Sequence, residues 1–403
     1  MILSLGIILL LGFLIGYLFD KLRVPGIVGM ILMGILIGPS FLNIISPDLI
    51  AISPILRQIA LVIILTRAGL SLDIKKLKTI GRPAILLSFI PASFEIIGIS
   101  IFGSILLNIS LIESLLLGSV LAAVSPAVIV PRMIKFMEHG VGKKKHIPQL
   151  IMAGASIDDV YVIVLFYAFL GMVNQNSMNL WTFTQIPLSI ISGILLGILV
   201  AFGINKLFKL LKPNITVKVL FLLSMAFLMI GFEELLKPWI SISALIAIMT
   251  LGMGILMFDQ DAKHIENGYQ KIWKFFEILL FVLVGISIDM NYALSAGFMP
   301  VLLIIIALLF RMIGVFVALI QTNLNMKEKV FTAFSYLPKA TVQASIGGIA
   351  LSMNLAVGSL ILTTAILSIL ITAPLGAFLI DQTYIHLLDR EIIKKIESNQ
   401  IVH

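Results

Sequence analysis

Gly69-Leu70-Ser71-Leu72-Asp73 recurs as Gly285-Ile286-Ser287-Ile288-Asp289, 216 positions further along the chain. Each copy closes a long apolar run. Working outward from them, the 403 residues are 60 % hydrophobic and 12 % charged, against about 25 % charged in soluble domains. No stretch is long and polar enough to form a soluble domain, which excludes a soluble enzyme and a nucleic-acid binder. The absence of Cys excludes disulfides and thiolate chemistry. A spanning helix needs about 20 mostly apolar residues. By that rule thirteen segments emerge: 2–19, 24–38, 56–72, 83–107, 112–137, 147–172, 182–211, 217–236, 241–258, 272–288, 297–319, 329–352 and 356–382. The fold expected is an all-α polytopic membrane protein of about 13 transmembrane helices, one unit over 1–403 surrounded by membrane lipids.

The distribution of cationic side chains orients these segments. Of 28 Lys and Arg, 23 fall in alternate connectors and the tail, beginning with Lys21 and Arg23 after the first segment. The opposite side has only Lys237 and, at a helix entrance, Arg57; Arg67, Arg311 and Lys339 lie within spans. The positively charged side faces the cytoplasm, so the N-terminus is expected outside and the C-terminus inside a cell membrane, with no cleaved leader. The two Gly-x-Ser-x-Asp copies then run in opposite senses. Pro126 corresponds to Pro338 at nearly the same spacing, and Glu95 to Arg311. Inverted repeats are how many secondary transporters place one site between two related halves.

A charge near the bilayer centre costs roughly 2.5–3.5 kcal/mol even on lenient scales, so it survives only if paired, hydrated or neutralised. Glu95, the pair Asp158-Asp159, Arg311 and Lys339 meet that description. Glu277, Arg67 and Glu233-Glu234 lie nearer segment ends, where snorkelling accounts for them. Adjacent helical residues point about 100° apart, so Asp158 and Asp159 cannot both face one partner. One can line a wet cavity while the other is held against protein. A carboxylate so placed takes either a proton or a small hard cation such as sodium or lithium, and that competition is the core of an exchange mechanism. The plainer alternative is a buried polar pair that only holds helices together.

Pro126 and Pro338 sit in mid-membrane, and proline removes a backbone donor and clashes with the preceding turn. Either each kinks an ordinary helix, or two discontinuous helices meet at the midplane. In the second case freed carbonyls, with the Ser125 and Thr341 hydroxyls, would serve a cation. Lys339 would offset the negative end of a half-helix. Glu95 and Arg311 would meet near the two-fold axis as a structural ion pair.

At these residues the sequence resembles the monovalent cation/proton antiporter superfamily, most closely its NHA-type sodium/proton branch. The matching stretches are Thr66-Arg67-Ala68-Gly69-Leu70, Val124-Ser125-Pro126-Ala127-Val128-Ile129-Val130-Pro131, Ser156-Ile157-Asp158-Asp159 and Pro338-Lys339-Ala340-Thr341-Val342-Gln343-Ala344. The resemblance implies a homodimer, crossed broken helices at Pro126 and Pro338, and elevator-like alternating access. It implies an ion-transporting core over 83–172 and 297–382, with dimerisation and linking helices over 2–72 and 182–288. It also implies sodium at Asp159, with Asp158 beside it, and no cofactor beyond the transported Na+ or Li+ and H+. Relatives with two aspartates often carry a lysine where Arg311 stands. Arginine stays protonated, and Glu95 offers it a different partner, so the usual electrogenic stoichiometry is in doubt.

The rival readings are a potassium/proton antiporter of the same superfamily, a bile-acid-symporter-like sodium-coupled transporter, an intramembrane aspartyl protease and a channel. The protease needs two carboxylates that share a proton, whereas these two are neighbours on one helix. A symporter of that kind needs an amphipathic substrate cavity, and coupled exchange rather than a channel suits titratable carboxylates between inverted repeats.

Overall fold

The computed structural model describes residues 1–71, 81–142, 144–175, 180–236 and 242–388 as helices joined by turns and short irregular stretches, with no strand among them. Leu72 and Asp73 of the first repeat copy lie outside the described residues, as do Lys75, Lys76, Lys78, Lys143, Lys237, Arg390, Lys394 and Lys395. The first three helices are α1 (Ile2–Lys21), α2 (Gly26–Ile37) and α3 (Pro47–Ser71). The next five are α4 (Arg82–Leu87), α5 (Ile90–Leu106), α6 (Leu111–Leu121), α7 (Pro126–Glu138) and α8 (Ile147–Gln175). Then come α9 (Leu180–Leu211), α10 (Ile215–Leu236), α11 (Ala244–Phe258), α12 (Ala262–Ile286), α13 (Met290–Ser295) and α14 (Met299–Ala318). The chain closes with α15 (Met326–Ser335), α16 (Thr341–Ile346), α17 (Ile349–Ser352) and α18 (Gly358–Leu387). Every one of the thirteen apolar segments has a helical counterpart. Nine stretches of the described residues are long and apolar enough to cross a membrane, and α2 and α11 are shorter apolar helices.

Four boundaries differ from the hydropathy reading, each for a physical reason. α3 begins at Pro47 rather than 56, because proline at a helix start forfeits no hydrogen bond and Asp48 favours the N-terminal dipole. Arg57 is therefore not at a helix entrance but ten residues inside α3, buried against Gly348. α12 begins at Ala262 rather than 272, because its first half is amphipathic rather than apolar, and Glu277 thus lies mid-helix. Segment four divides into α4 and α5 around Ser88 and Phe89, with Pro91 in the first turn of α5. Segment twelve breaks twice, at 336–340 and again at Gly347-Gly348. The connector after the second repeat copy forms α13, whose first-turn amides donate to the Asp289 side chain.

The inverted repeat shows itself as paired close contacts. α3 crosses α11 where Gly69 meets Gly252, and α12 crosses α2 where Gly285 meets Gly34. A side-chain carbon on Gly69 would strike the Met249 carbonyl oxygen, and one on Gly285 the Ile31 carbonyl oxygen. α3 and α12 are repeat mates, and so are α2 and α11, so the two contacts are one contact made twice. The same holds where α5 crosses α14: Phe310 covers Gly98, and Phe94 covers Gly314. This last crossing carries Glu95 and Arg311 one position along from the two phenylalanines.

Within these contacts the helices sort into two groups. α11 packs on α3 and α9, and α12 on α1, α2 and α3. α5 packs on α14 and α6, α8 on α4, α6 and α7, and α15 on α18. The groups touch mainly where α16 meets α3 and where α18 meets α2.

Candidate ion-exchange site at the crossing of two broken helices

Both prolines open true breaks. α6 ends at Leu121, four residues follow without regular structure, and α7 resumes with Pro126 in its first turn. α15 ends at Ser335, and α16 resumes at Thr341 after Pro338 and Lys339. The two gaps cross: the Ser125 amide donates to the Pro338 carbonyl at 2.8 Å. α18 seats the second gap, with Thr372 Oγ1 accepting the Lys339 amide at 3.0 Å.

Each break exposes carbonyls at the end of a half-helix, where the dipole is negative and partners are missing. Side chains take them. Lys339 Nζ donates to the Leu121 carbonyl at 2.5 Å, so it offsets the end of α6, in the other repeat, and not of its own helix. Gln343 Nε2 donates to the Leu121 and Ala123 carbonyls at 3.1 and 2.8 Å. Arg311 donates from Nη1 to the Ala122 carbonyl and from Nε to the Tyr336 carbonyl at 2.6 Å. The carbonyls of Leu121, Ala122, Ala123 and Tyr336 are thus engaged by protein donors, whereas two hydroxyls at the breaks are not. Ser125 occupies the N-cap of α7 yet makes no capping bond, and its Oγ is buried without a partner. Thr341 Oγ1, at the start of α16, is buried without a partner too.

The charges form one network. Arg311 Nη1 lies 2.8 Å from Glu95 Oε2, so the expected pair is formed across the repeat axis. It does not stop there: Arg311 Nη2 lies 3.0 Å from Asp158 Oδ2, and Lys339 Nζ lies 2.6 Å from Glu95 Oε1. Asp158 Oδ2 also accepts the Val124 amide at 2.7 Å, from the last residue but one before α7. Arg311, Glu95, Asp158 and Lys339 are all buried. Asp159 differs. It is only partly buried, makes no ion pair among the described residues, and its Oδ1 has no hydrogen-bond partner.

The structure therefore brings Glu95, Asp158, Arg311 and Lys339 into direct contact, with Ser125 and Pro338 joined through their backbones. Asp159 and Thr341 sit beside that network without bonding to it. Sequence reasoning missed the Arg311–Asp158 contact and Gln343. Phe94-Glu95-Ile96-Ile97-Gly98 and Phe310-Arg311-Met312-Ile313-Gly314, the same pattern with the charge inverted, signal the Glu95–Arg311 pair but carry nothing about Asp158.

An ionisable cluster at crossed half-helices between inverted repeats is the arrangement of an ion-coupled transporter, and comparison with known proteins identifies the type. The transmembrane sodium/hydrogen exchanger family matches residues 7–383. The chain belongs to that family. It is 33 % identical over 407 residues to sodium/hydrogen exchanger 9B2 of Xenopus tropicalis, covering 96 % of this chain and 74 % of that one. The human protein of the same name is 32 % identical over 388 residues, covering 93 % and 70 %. Among solved structures, the sodium proton antiporter MjNhaP1 of Methanocaldococcus jannaschii at pH 8 superposes with a TM-score of 0.82 at 25 % identity, covering 96 % of this chain and 98 % of that one. The protein is accordingly a multi-pass membrane cation/proton antiporter.

Proposed function

We propose that this exchanger moves sodium or lithium against protons across the cell membrane, with Asp159 holding one or the other in turn. The observation that carries the reading is the charge balance at the crossing. Arg311 and Lys339 match Glu95 and Asp158 through direct contacts, which leaves Asp159 as the one carboxylate there without an ion pair among the described residues. A carboxylate in that position stays neutral only by binding a proton or a cation. Oxygen donors suit a small hard cation, and the unpartnered hydroxyls of Ser125 and Thr341 are of that kind. The names of the relatives favour sodium.

Asp158 is held differently. With one oxygen accepting both the Val124 amide and Arg311, its carboxylate is a fixed counter-ion rather than a second carrier. One proton against one cation then moves no net charge. For alternating access we propose that the core of residues 83–172 and 297–382 slides as a unit against 2–72 and 182–288. The packing supports this, since α5, α14, α6 and α8 form one group and α3, α11, α12 and α2 the other. The second group includes α1, whose Leu3, Leu10 and Phe13 face outward and suit lipid or the second subunit of a homodimer. The cationic connectors favour a cytoplasmic C-terminus.

The test is exchange by purified protein in proteoliposomes with sodium, lithium and potassium, wild type beside Asp159→Asn. Wild type should exchange, and sodium added to unbuffered protein should release protons. The Asn variant should do neither while keeping its melting temperature. Exchange at the wild-type rate by Asp159→Asn would overturn the assignment.

A further inference from the structure

Gln343 presents an amide whose orientation is settled by its surroundings. Its nitrogen reaches two carbonyl oxygens, of Leu121 and Ala123, and only an NH2 can donate to both. The carbonyl end of the side chain, Oε1, is consequently turned away from the end of α6, and it is buried with no hydrogen-bond partner. A buried amide oxygen left unpaired costs about as much as a lost hydrogen bond, so its persistence requires an occupant. The neighbourhood says which kind. Val124, one residue beyond Ala123, donates its amide to Asp158. Ser125 Oγ, Thr341 Oγ1, Asp158 Oδ1 and Asp159 Oδ1 are further buried oxygens without partners, on the same two breaks or on the turn of α8 beside them. None of these oxygens has a hydrogen-bond partner among the described residues, and carboxylate, amide and hydroxyl oxygens are the ligand types a small hard cation takes.

We infer that Gln343 is a direct ligand of the transported cation, its amide oxygen aimed by the α6 carbonyls, and that it sets preference between cations of different size. This rests on the exchange site proposed at Asp159. The two ends of the amide have separate tasks. Nε2 ties the end of one broken helix to the other repeat, and that tie fixes how far Oε1 stands from the carboxylates. Movement of α6 relative to α16 therefore moves a ligand, which couples the state of the breaks to cation affinity.

Three substitutions separate this from a purely structural tie. Gln343→Met and Gln343→Glu both lose the two donated hydrogen bonds, but only Glu keeps an oxygen where Oε1 stands. If Gln343 is a ligand, Met should raise the KM for sodium about tenfold, and Glu should keep it near or below the wild-type value while moving the pH profile, since a new carboxylate adds a proton competitor. Gln343→Asn, an amide one methylene shorter, should change the lithium-to-sodium KM ratio at least threefold. Sodium-free melting temperature reports folding separately. Equal KM shifts in Met and Glu, with an unchanged lithium-to-sodium ratio in all three, would overturn the inference and leave Gln343 as a tie. Asp159→Asn, measured alongside by sodium-dependent thermal stabilisation, distinguishes the two failures. If it still responds to sodium, the site itself is misplaced; if it does not, only the role of Gln343 falls.

Discussion

Replacing Arg311 by Met removes a fully buried guanidinium that serves four acceptors at once: Glu95, Asp158 and the carbonyls of Ala122 and Tyr336. Glu95 is left with Lys339 as its cation and Asp158 with none in contact among the described residues, and two half-helix ends lose a donor. Breaking a buried ion pair from one side costs about 3–5 kcal/mol, and each carbonyl left unsatisfied adds about 1–3 kcal/mol. Protonation of one carboxylate returns part of that sum, so a net loss of about 4–6 kcal/mol is expected. In a chain of this size that corresponds to a fall of roughly 5–10 °C in melting temperature. Asp158→Asn in the same chain removes the stranded charge, so the double variant should regain at least a third of the loss. Unfolding in detergent is followed by the loss of the monodisperse peak after heating, at one protein and detergent concentration throughout. The strongest signature is the coupling, about 2 kcal/mol between contacting residues. A double variant that falls by the sum of the two single losses, or an Arg311→Met protein as stable as wild type, would refute the network.

Three further outcomes are expected. With a potassium–valinomycin potential imposed across proteoliposomes, the equilibrium sodium gradient should ignore the voltage; a second proton carrier would instead bias it by about 2.3 kcal/mol per 100 mV, and Asp158 would be the place to look. In this Cys-free chain, a Cys replacing exposed Asn291 should react with an impermeant reagent from outside, and one replacing exposed Lys327 only after permeabilisation; the reverse pattern overturns the orientation. At the connector between α11 and α12, hydrogen bonding to the Lys218 ammonium, 2.9 Å away, holds the Asp261 carboxyl below its ordinary pKa. Its contribution is therefore fully present above about pH 4 and declines as acid protonates it, so Asp261→Asn should lower the melting temperature slightly at pH 7 and by progressively less as the pH falls below about 4; an unchanged difference throughout would mean the contact stabilises by packing.

What the sequence disclosed was whatever is local or periodic. The spans follow from hydropathy, the breaks from Pro126 and Pro338, and the inverted repeat from Gly69-Leu70-Ser71 against Gly285-Ile286-Ser287. The Glu95–Arg311 pair followed from that repeat alone. What stayed hidden depends on distance in the chain or on amphipathic character. The start of α12 at Ala262 escaped because a half-polar helix scores poorly as a span. Arg311's second partner escaped because Asp158 is 153 positions away and no repeat relation links them. The engagement of the α6 carbonyls by Lys339, Gln343 and Arg311 escaped for the same reason. A break read in one dimension leaves its carbonyls free, whereas the crossing of two breaks supplies donors from the other repeat.

That crossing also explains why the repeats are alike in backbone and unlike in charge. Two-fold symmetry brings the α5 and α14 positions one residue past Phe94 and Phe310 together at the axis. Identical charges there would face each other in a low-dielectric interior, where like charges close together cannot both remain ionised. Glu95 in one repeat and Arg311 in the other turn that repulsion into a bond. The resulting asymmetry has a consequence for transport. Arg311 has more donors than Glu95 can use, and the surplus goes to two helix ends and to Asp158. A lysine, with one nitrogen in place of a planar fork, could not reach all four. The same fork that stabilises the crossing therefore ties down the first aspartate, and the second, about 100° further round α8, is left without an ion pair among the described residues, at the position where we propose that an ion binds and leaves.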